Sequence, residues 1–81
     1  MFGDLIRAHR RRCGVTQEQL AERAGISARH LRDLEAGRTA RPRMYTVQLL
    51  ADALLLDEFQ RVELTRAADR SPADDDAAVV A

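Results

Sequence analysis

Apolar and polar positions repeat with the period of an α-helix through five successive segments of this 81-residue chain. In the first segment, residues 3–13, the apolar positions fall near one face at the 3.6-residue spacing of a helix. These positions are Leu5, Ile6, His9 and Cys13, and Phe2, directly before the segment, lies on the same face. No alternating strand pattern competes with the helical one. The pattern therefore predicts an all-α protein, a compact bundle of five short helices.

Capping residues and glycines divide this pattern into separate helices. Thr16 and Gln19 match a capping box for a second helix. Ser27 is a favoured N-cap for a third helix over residues 28–36. Glycine stands where each of the first three helices should end, at Gly14, Gly25 and Gly37. The second and third helices are therefore short and joined by a tight turn.

The remaining helices follow a loop that contains Pro42. Thr46 can cap a fourth helix. The core face of that helix should be Val47, Leu50, Ala51 and Leu54. Asp57 with Gln60 can cap a fifth helix that runs through Ala68, and its inward residues should be Phe59 and Val62. We expect one domain over residues 1–68 and an acidic, disordered tail over residues 69–81.

Charge is distributed unevenly along the chain. The totals of 13 arginines and 13 acidic residues cancel. Residues 1–43 nevertheless hold 10 arginines against 5 acidic residues, a net charge of +5, and residues 44–81 hold 3 against 8, a net charge of −5. Every basic residue is arginine, which binds phosphate and guanine bidentately. A polyanion site on one side of the molecule is therefore expected.

The sequence offers few residues for a disulfide, a metal site or catalysis. The single cysteine, Cys13, cannot form an internal disulfide, and its place on the apolar face predicts an inert core thiol. His9 and His30 lack partners at metal-ligand or catalytic spacing, and Asp74–Asp76 lacks the pattern of a calcium loop. We expect no enzyme activity, metal or cofactor. The chain has no membrane-spanning run and no secretion signal, which favours a cytoplasmic protein.

A short capped helix, a tight turn and a second short helix with a polar outer face indicate a helix-turn-helix. The stretch VTQEQLAERAGISARHLRDLEAGR resembles the phage-repressor and Cro type of helix-turn-helix, the xenobiotic-response-element family with a lambda-repressor-like fold. The matching positions are Gln17, Leu20, Ala21, Gly25, Ile26, Ser27, Leu31, Leu34, Glu35 and Gly37. The downstream RPR and LLADAL also fit, so the resemblance covers residues 3 to 68.

The resemblance implies that the third helix, residues 28–36, enters the DNA major groove. The expected base contacts on its outward face are Ala28, Arg29, Arg32 and Asp33. Arginine can bridge O6 and N7 of guanine, although Arg32 lies nearer the edge of this face and could instead contact phosphate. Asp33 could accept a hydrogen bond from cytosine or pair with Arg29. The alternative for all of them is an ordinary charged helix face that contacts only solvent.

A second group of residues is expected at the DNA backbone or in the minor groove. They are Gln17, Ser27, Arg38, Thr39, Arg41 and Arg43. Gln17 lies at the start of the second helix, where free N–H groups and the helix dipole attract a phosphate. In relatives an arginine at the position of Arg43 can enter the minor groove. The alternative is an ordinary solvated loop.

Two features differ from this pattern, a pair of inward charges and a leucine in place of a helix-ending glycine. Arg10 and Glu35 fall on the inner sides of the first and third helices, which suggests a buried structural ion pair. By contrast, the other arginines of the first helix, Arg7, Arg11 and Arg12, should be solvated or near phosphate. Leu55 stands where the family commonly has the glycine that ends the fourth helix. The fourth and fifth helices could therefore run nearly continuously, or Leu55 and Leu56 could face a partner subunit.

Together these features predict a transcriptional regulator that binds double-stranded DNA, with homodimers reading two half-sites. The candidate dimer surface is Leu55, Leu56 and Phe59. Such a protein would be associated with the bacterial nucleoid. The alternatives are an antitoxin-like or adaptor module that binds a protein through the fifth helix or the acidic tail, or the DNA-binding part of a larger regulator.

Overall fold

Five α-helices make up the computed structural model, which describes residues 1–38 and 42–69. They are α1 (Phe2–Cys13), α2 (Gln17–Ala24), α3 (Ala28–Ala36), α4 (Met44–Ala53) and α5 (Glu58–Asp69). The prediction of an all-α bundle is confirmed, and the described ranges contain no strand. Asp69, which was expected to start the acidic tail, is the last residue of α5. Residues 70–81 of that tail lie outside the described residues.

The first four helices end with the same backbone motif. In each, a residue of positive φ donates its N–H to the carbonyl three residues back, and the next residue donates to the carbonyl five residues back. This is the Schellman arrangement. Gly14, Gly25 and Gly37 hold the positive-φ position with φ between 72° and 75°. In α4 that position is Leu55 with φ 56°, so the alternative of a nearly continuous run through the fourth and fifth helices is excluded.

The core forms where one face of every helix meets the others. Its largest fully buried side chains are Ile6, Leu20, Leu31, Leu34, Val47, Leu50 and Leu64. The predicted inner face of the fourth helix is confirmed, because all four of its residues are buried. Full burial of one such aliphatic side chain contributes about 1.5–3 kcal/mol. The packing of these faces sets how α3 is presented to solvent.

The predicted inner face of the fifth helix was wrong. Phe59 and Val62 are 77% and 45% exposed. The buried residues of α5 are instead Leu64, Ala67 and Ala68. At 100° per residue these three lie on the side of the helix roughly opposite to Phe59 and Val62. Apolar residues occupy both sides, so periodicity alone could not say which side the core would take.

Two smaller predictions were also wrong. Cys13 is exposed, because the last turn of α1 leaves the core after His9, and its thiol reaches only the Leu54 carbonyl at 3.8 Å. Thr46 does not cap the fourth helix. Arg43 is extended and α4 begins directly after it, so Thr46 lies within the first turn and is buried.

A glycine allows α1 to pack directly on the end of α3. A Cβ atom on Gly3 would lie 2.5 Å from the carbonyl oxygens of Leu34 and Glu35, a distance that real Cβ atoms do not tolerate. Gly3 is itself buried. This close approach therefore fixes the C-terminal end of α3 against the start of α1.

Candidate nucleic-acid interface

Helices α2 and α3 are joined by residues 25–27, and both begin at a side-chain cap. The Thr16 hydroxyl accepts a hydrogen bond from the Gln19 N–H at 3.0 Å, and the Gln19 side chain accepts one from the Thr16 N–H at 2.9 Å. At the start of α3 the Ser27 hydroxyl accepts one from the His30 N–H at 3.0 Å. The predicted caps are therefore confirmed, and they fix where each helix of the pair begins.

Helix α3 has a buried face and a charged outer face, as predicted. Leu31, Leu34 and Glu35 are buried. Arg29 and Arg32 are exposed on the other side. The inner face attaches the helix to the core, so the outer arginines are held on a rigid element and face solvent.

The other two residues expected to contact bases are partly buried. Ala28 packs against the core. The Asp33 carboxylate lies 3.3 Å from Nη1 of Arg38, just beyond the end of α3. Asp33 therefore pairs with Arg38 rather than with Arg29. No residue of the described ranges forms an ion pair with Arg29.

Arg32 is held by an acidic residue of the neighbouring helix. Its Nη2 atom lies 3.3 Å from Oε2 of Glu18, in the first turn of α2. The side chains are 52% and 66% exposed. A hydrogen bond to its own backbone and the contact with Arg32 hold the pKa of Glu18 below its ordinary value, which keeps the carboxylate ionised. The outer surface of the two helices therefore carries both charges of this pair.

Arg10 and Glu35, the expected inner ion pair, lie in direct contact. Arg10 Nε donates to Oε2 of Glu35 at 2.7 Å, and Nη2 donates to Oε1 at 3.1 Å. A further hydrogen bond from Nη1 reaches the Val15 carbonyl at 3.1 Å. The Glu35 side chain is only 1% exposed. This bidentate contact joins α1 to α3 beneath the outer arginines.

Two more side chains contact Glu35. Gln17 Nε2 donates to Oε1 at 3.0 Å. Arg7 donates to the Glu35 carbonyl at 3.3 Å, and its Nε lies 3.6 Å from Oε1. Arg7, which was expected to be solvated or near phosphate, therefore also contacts Glu35, while its side chain remains 40% exposed. Gln17 uses one amide N–H for Glu35 and keeps a second donor at the start of α2.

The protonation state of Glu35 follows from these contacts. Burial opposes ionisation of the carboxyl group. Hydrogen bonds from Arg10 and Gln17 and the positive charge of Arg10 outweigh burial, so the pKa of Glu35 lies below its ordinary value. Glu35 is therefore an anion inside the protein, neutralised by arginine.

Only part of the predicted backbone-contacting loop can be placed. Thr39 and Arg41 lie outside the described residues. Arg38 and Arg43 are both exposed. Arg43 is the N-cap of α4 but makes no side-chain hydrogen bond to the helix. The first N–H groups of α4 consequently have no side-chain cap, which makes this helix start a potential anion-binding position.

Three features of this surface were missed by sequence reasoning. The roles of Glu18 and Arg7 depend on how helices distant in the sequence pack together, and no local pattern reports that. The uncapped start of α4 did have a signal. Arg43 directly precedes the helix, and arginine is a poor N-cap. Placing the start at Thr46 hid this signal.

The remaining chemistry of the described part is limited. No group of three or more His, Cys, Asp and Glu side chains in residues 1–38 and 42–69 is placed to hold a metal ion. Within the same ranges, no helix is long and apolar enough to cross a membrane. The exposed arginines and the helix starts are therefore the main candidate binding groups described above.

Comparisons with known proteins agree with this geometry. Residues 1–72 match the model of a family described as a helix-turn-helix domain. The chain is also similar to a protein of Methanothermobacter thermautotrophicus named as an uncharacterized HTH-type transcriptional regulator. The two are 44% identical over 50 residues, which is 62% of this chain and 71% of that relative. No solved structure matches the chain.

Proposed function

The chain belongs to the helix-turn-helix domain family, and from this we propose that it is a transcriptional regulator that binds double-stranded DNA sequence-specifically. The observation that carries the proposal is the two-sided α3, with Leu34 and Glu35 held in the core and Arg29 exposed. An α-helix fits the major groove, where arginine can donate to O6 and N7 of guanine. The name of the similar protein supports the regulatory role.

The proposed contacts divide into two groups. Arg29 and Arg32 read bases, with Ala28 and Asp33 beside them at the groove. The residues proposed at the backbone or minor groove are Gln17, Ser27, Arg38, Thr39, Arg41 and Arg43. Gln17 supports this division, because Glu35 occupies one of its amide N–H groups and leaves another for a phosphate. The uncapped start of α4 adds further N–H donors next to Arg43.

Within the family, the phage-repressor and Cro type is the proposed assignment. Its support is the set of matching positions named above, together with the inner pair of Arg10 and Glu35, a feature of some phage repressors, which lies at 2.7 Å. The proposed role is binding without catalysis and requires no cofactor. A target in chromosomal DNA would place the protein in the cytoplasm with the nucleoid.

A homodimer is proposed because one recognition helix reads too few base pairs for a useful specificity ratio. The supporting patch is defined as the exposed apolar side chains on α5 and in the turn before it: Leu55, Phe59 and Val62, which are 86%, 77% and 45% exposed. Leu56, once a candidate for this surface, is buried and belongs to the core. Two half-sites would lie about 34–36 Å apart in such a dimer.

Light scattering of two variants tests the dimer. Phe59→Ser should lower the apparent mass from dimer to monomer, because it removes the aromatic side chain of the patch. Tyr45→Ser is the matched control, because Tyr45 is also exposed, at 71%, but lies on α4 outside the patch. A monomeric wild-type protein at DNA-binding concentrations would rule out a preformed dimer.

The alternative function is an antitoxin-like or adaptor module, on its own or within a larger regulator. One observation favours it. Met1, Leu5, Phe59, Val62 and Ala67 line an apolar groove of about 370 Å³ between α1 and α5, with Glu63 and Arg66 at its edge. A protein partner could bind this groove on the fifth helix, and the acidic tail is a second possible attachment point.

Selection of bound DNA from a random duplex library, at two salt concentrations, tests DNA binding directly. A sequence-specific regulator should enrich a preferred site and lose affinity steeply as salt rises. An adaptor without a DNA target should enrich nothing and show no salt-dependent affinity. The second result would overturn the proposed function.

A further inference from the structure

Two of the four described arginines proposed to reach DNA are held by acidic neighbours in the free protein. Arg32 contacts Glu18 and Arg38 contacts Asp33, each pair at 3.3 Å. Arg29 has no ion-pair partner among residues 1–38 and 42–69. Of the two acidic neighbours, Glu18 is the more exposed and belongs to α2 rather than to the recognition helix. It therefore brings a negative charge to a surface that approaches phosphates.

The contact between Glu18 and Arg32 is weak and leaves most of the guanidinium free. Only one nitrogen of Arg32 touches the carboxylate, at 3.3 Å, and both side chains are more than half exposed. Exposed pairs of this kind add little to stability, so the contact can exchange with another acceptor. A guanidinium has five N–H donors, and those on Nε and Nη1 are not used by Glu18.

We propose that Glu18 is a specificity-determining residue that acts by positioning Arg32, retaining the arginine when only phosphates are within reach and supporting it when a guanine edge is present. This inference rests on the proposed DNA binding. Glu18 itself need not touch DNA.

A phosphate and a guanine edge have different consequences for the Glu18 carboxylate when Arg32 binds them. Moving Arg32 to a phosphate replaces one anion with another and leaves Glu18 unpaired close to the DNA backbone, where it is repelled. Guanine O6 and N7 are neutral acceptors in the groove, and Arg32 can reach them with free N–H groups while one N–H remains on Glu18. The carboxylate therefore weakens binding to non-cognate DNA more than binding to a site with guanine at the right position.

The test compares Glu18→Gln with wild-type protein on two duplexes, the site obtained by selection and a scrambled sequence. We expect Glu18→Gln to bind the scrambled duplex roughly threefold to fivefold more tightly, and its salt slope there to steepen by about 0.9, the contribution of one additional phosphate contact. Affinity for the selected site should change less than about twofold. The specificity ratio therefore falls.

Glu22→Gln is the matched control. Glu22 lies one turn further along α2, is exposed, and forms no ion pair with another described residue. It should leave the specificity ratio unchanged although it removes the same charge. In the Arg32→Ala background, Glu18→Gln should no longer alter the ratio, because the residue that it positions is absent. Thermal unfolding of each variant checks that the fold is intact.

Several results would overturn the inference. An unchanged ratio in Glu18→Gln, an equal change in Glu22→Gln, or a full effect without Arg32 would each show that Glu18 does not act through the arginine. These failures differ from failure of the proposed function. That failure would appear as wild-type protein lacking salt-dependent affinity for either duplex, and it would remove the inference as well.

Discussion

Glu35 of α3 accepts two hydrogen bonds from Arg10 of α1, although the glutamate side chain is only 1% exposed. The contact therefore lies on the buried side of α3, the proposed recognition helix. Because Gln17 also donates to Glu35, the same carboxylate connects the core to the start of α2. Loss of Arg10 would leave a buried anion with only Gln17 and the partly exposed Arg7 as partners.

Removal of one partner of this pair should be far more harmful than removal of both. We expect Arg10→Leu to lower the free energy of unfolding by about 3–5 kcal/mol, because Glu35 would stay buried without its main counter-ion. The double variant Arg10→Leu with Glu35→Leu should recover much of that loss, since neither charge is then buried. Urea denaturation of the two variants measures the difference. Equal losses would contradict the importance of the unpaired charge.

Leu55 ends α4 in a conformation that glycine adopts at the ends of the three preceding helices. A side chain with a Cβ atom pays a conformational penalty of about 1–2 kcal/mol in the left-handed region. Leu55 is also 86% exposed, so little packing offsets the penalty. We expect Leu55→Gly to raise the free energy of unfolding by about 0.5–1 kcal/mol, after allowing for the greater freedom of glycine in the unfolded chain.

The control for this variant is Leu55→Ala. Alanine removes the exposed leucine side chain but keeps the Cβ atom, so it should give no comparable gain in the midpoint of urea denaturation. A gain as large as that of Leu55→Gly would mean that side-chain exposure, and not the backbone, is responsible. If Leu55 instead serves the proposed dimer, both variants should also weaken self-association in light scattering.

His9 predicts a dependence of stability on pH. It is 5% exposed, and its Nε2 atom has no hydrogen-bond partner in the described part of the chain. Burial, followed by the charge of Arg12, lowers the pKa of His9 below its ordinary value of 6.5, although Glu63 and Asp57 act in the opposite direction. The folded protein therefore resists protonation that the unfolded chain accepts.

The sign of the effect follows from this difference. The unfolded chain binds more protons below about pH 6.5, so the free energy of unfolding should be fully retained above that pH and should fall as pH decreases towards the folded pKa. We expect the free energy of unfolding of wild-type protein to be lower at about pH 5.5 than at about pH 7.5, and that of His9→Leu to change less. His30→Gln is the control, because His30 is exposed and the wild-type dependence should remain. Urea denaturation at both pH values checks the prediction.

The fold was largely predictable because the residues that begin and end its helices act locally. Thr16, Ser27 and the glycines act within one turn of their own positions, and each defines a helix end where it was expected. The buried side of α5 was not predictable, because Phe59 and Leu64 lie on different sides of the helix and only the packing of the other helices selects between them. The end of α4 at Leu55 was not predictable either, because a leucine side chain disfavours the left-handed backbone conformation that Leu55 adopts.

The candidate site also has features that were predictable from the sequence and features that were not. The outward direction of Arg29 and the inward direction of Glu35 follow from helix periodicity, so both were predictable. The pairing of Arg32 with Glu18 requires side chains of two helices to meet on the surface. The sequence alone does not show which residues of the two helices lie next to each other. The pairing of Asp33 with Arg38 depends on the turn that follows Gly37, where the helical period no longer applies.

The last prediction separates base reading from backbone contact on this surface. Arg29→Ala should flatten the preference at about one or two base positions, with a loss of about 1–3 kcal/mol that appears only on the preferred site. Arg38→Ala should weaken binding to all sequences alike and reduce the salt slope by about 0.9. Arg23→Ala is the control, because Arg23 is an exposed arginine in the last turn of α2 that is not among the proposed contacts. Binding measured by fluorescence anisotropy to the selected site and to its single-base variants distinguishes these patterns. A uniform loss across all sequences for Arg29→Ala would remove Arg29 from base reading, because a residue that contacts only phosphate cannot tell one base from another.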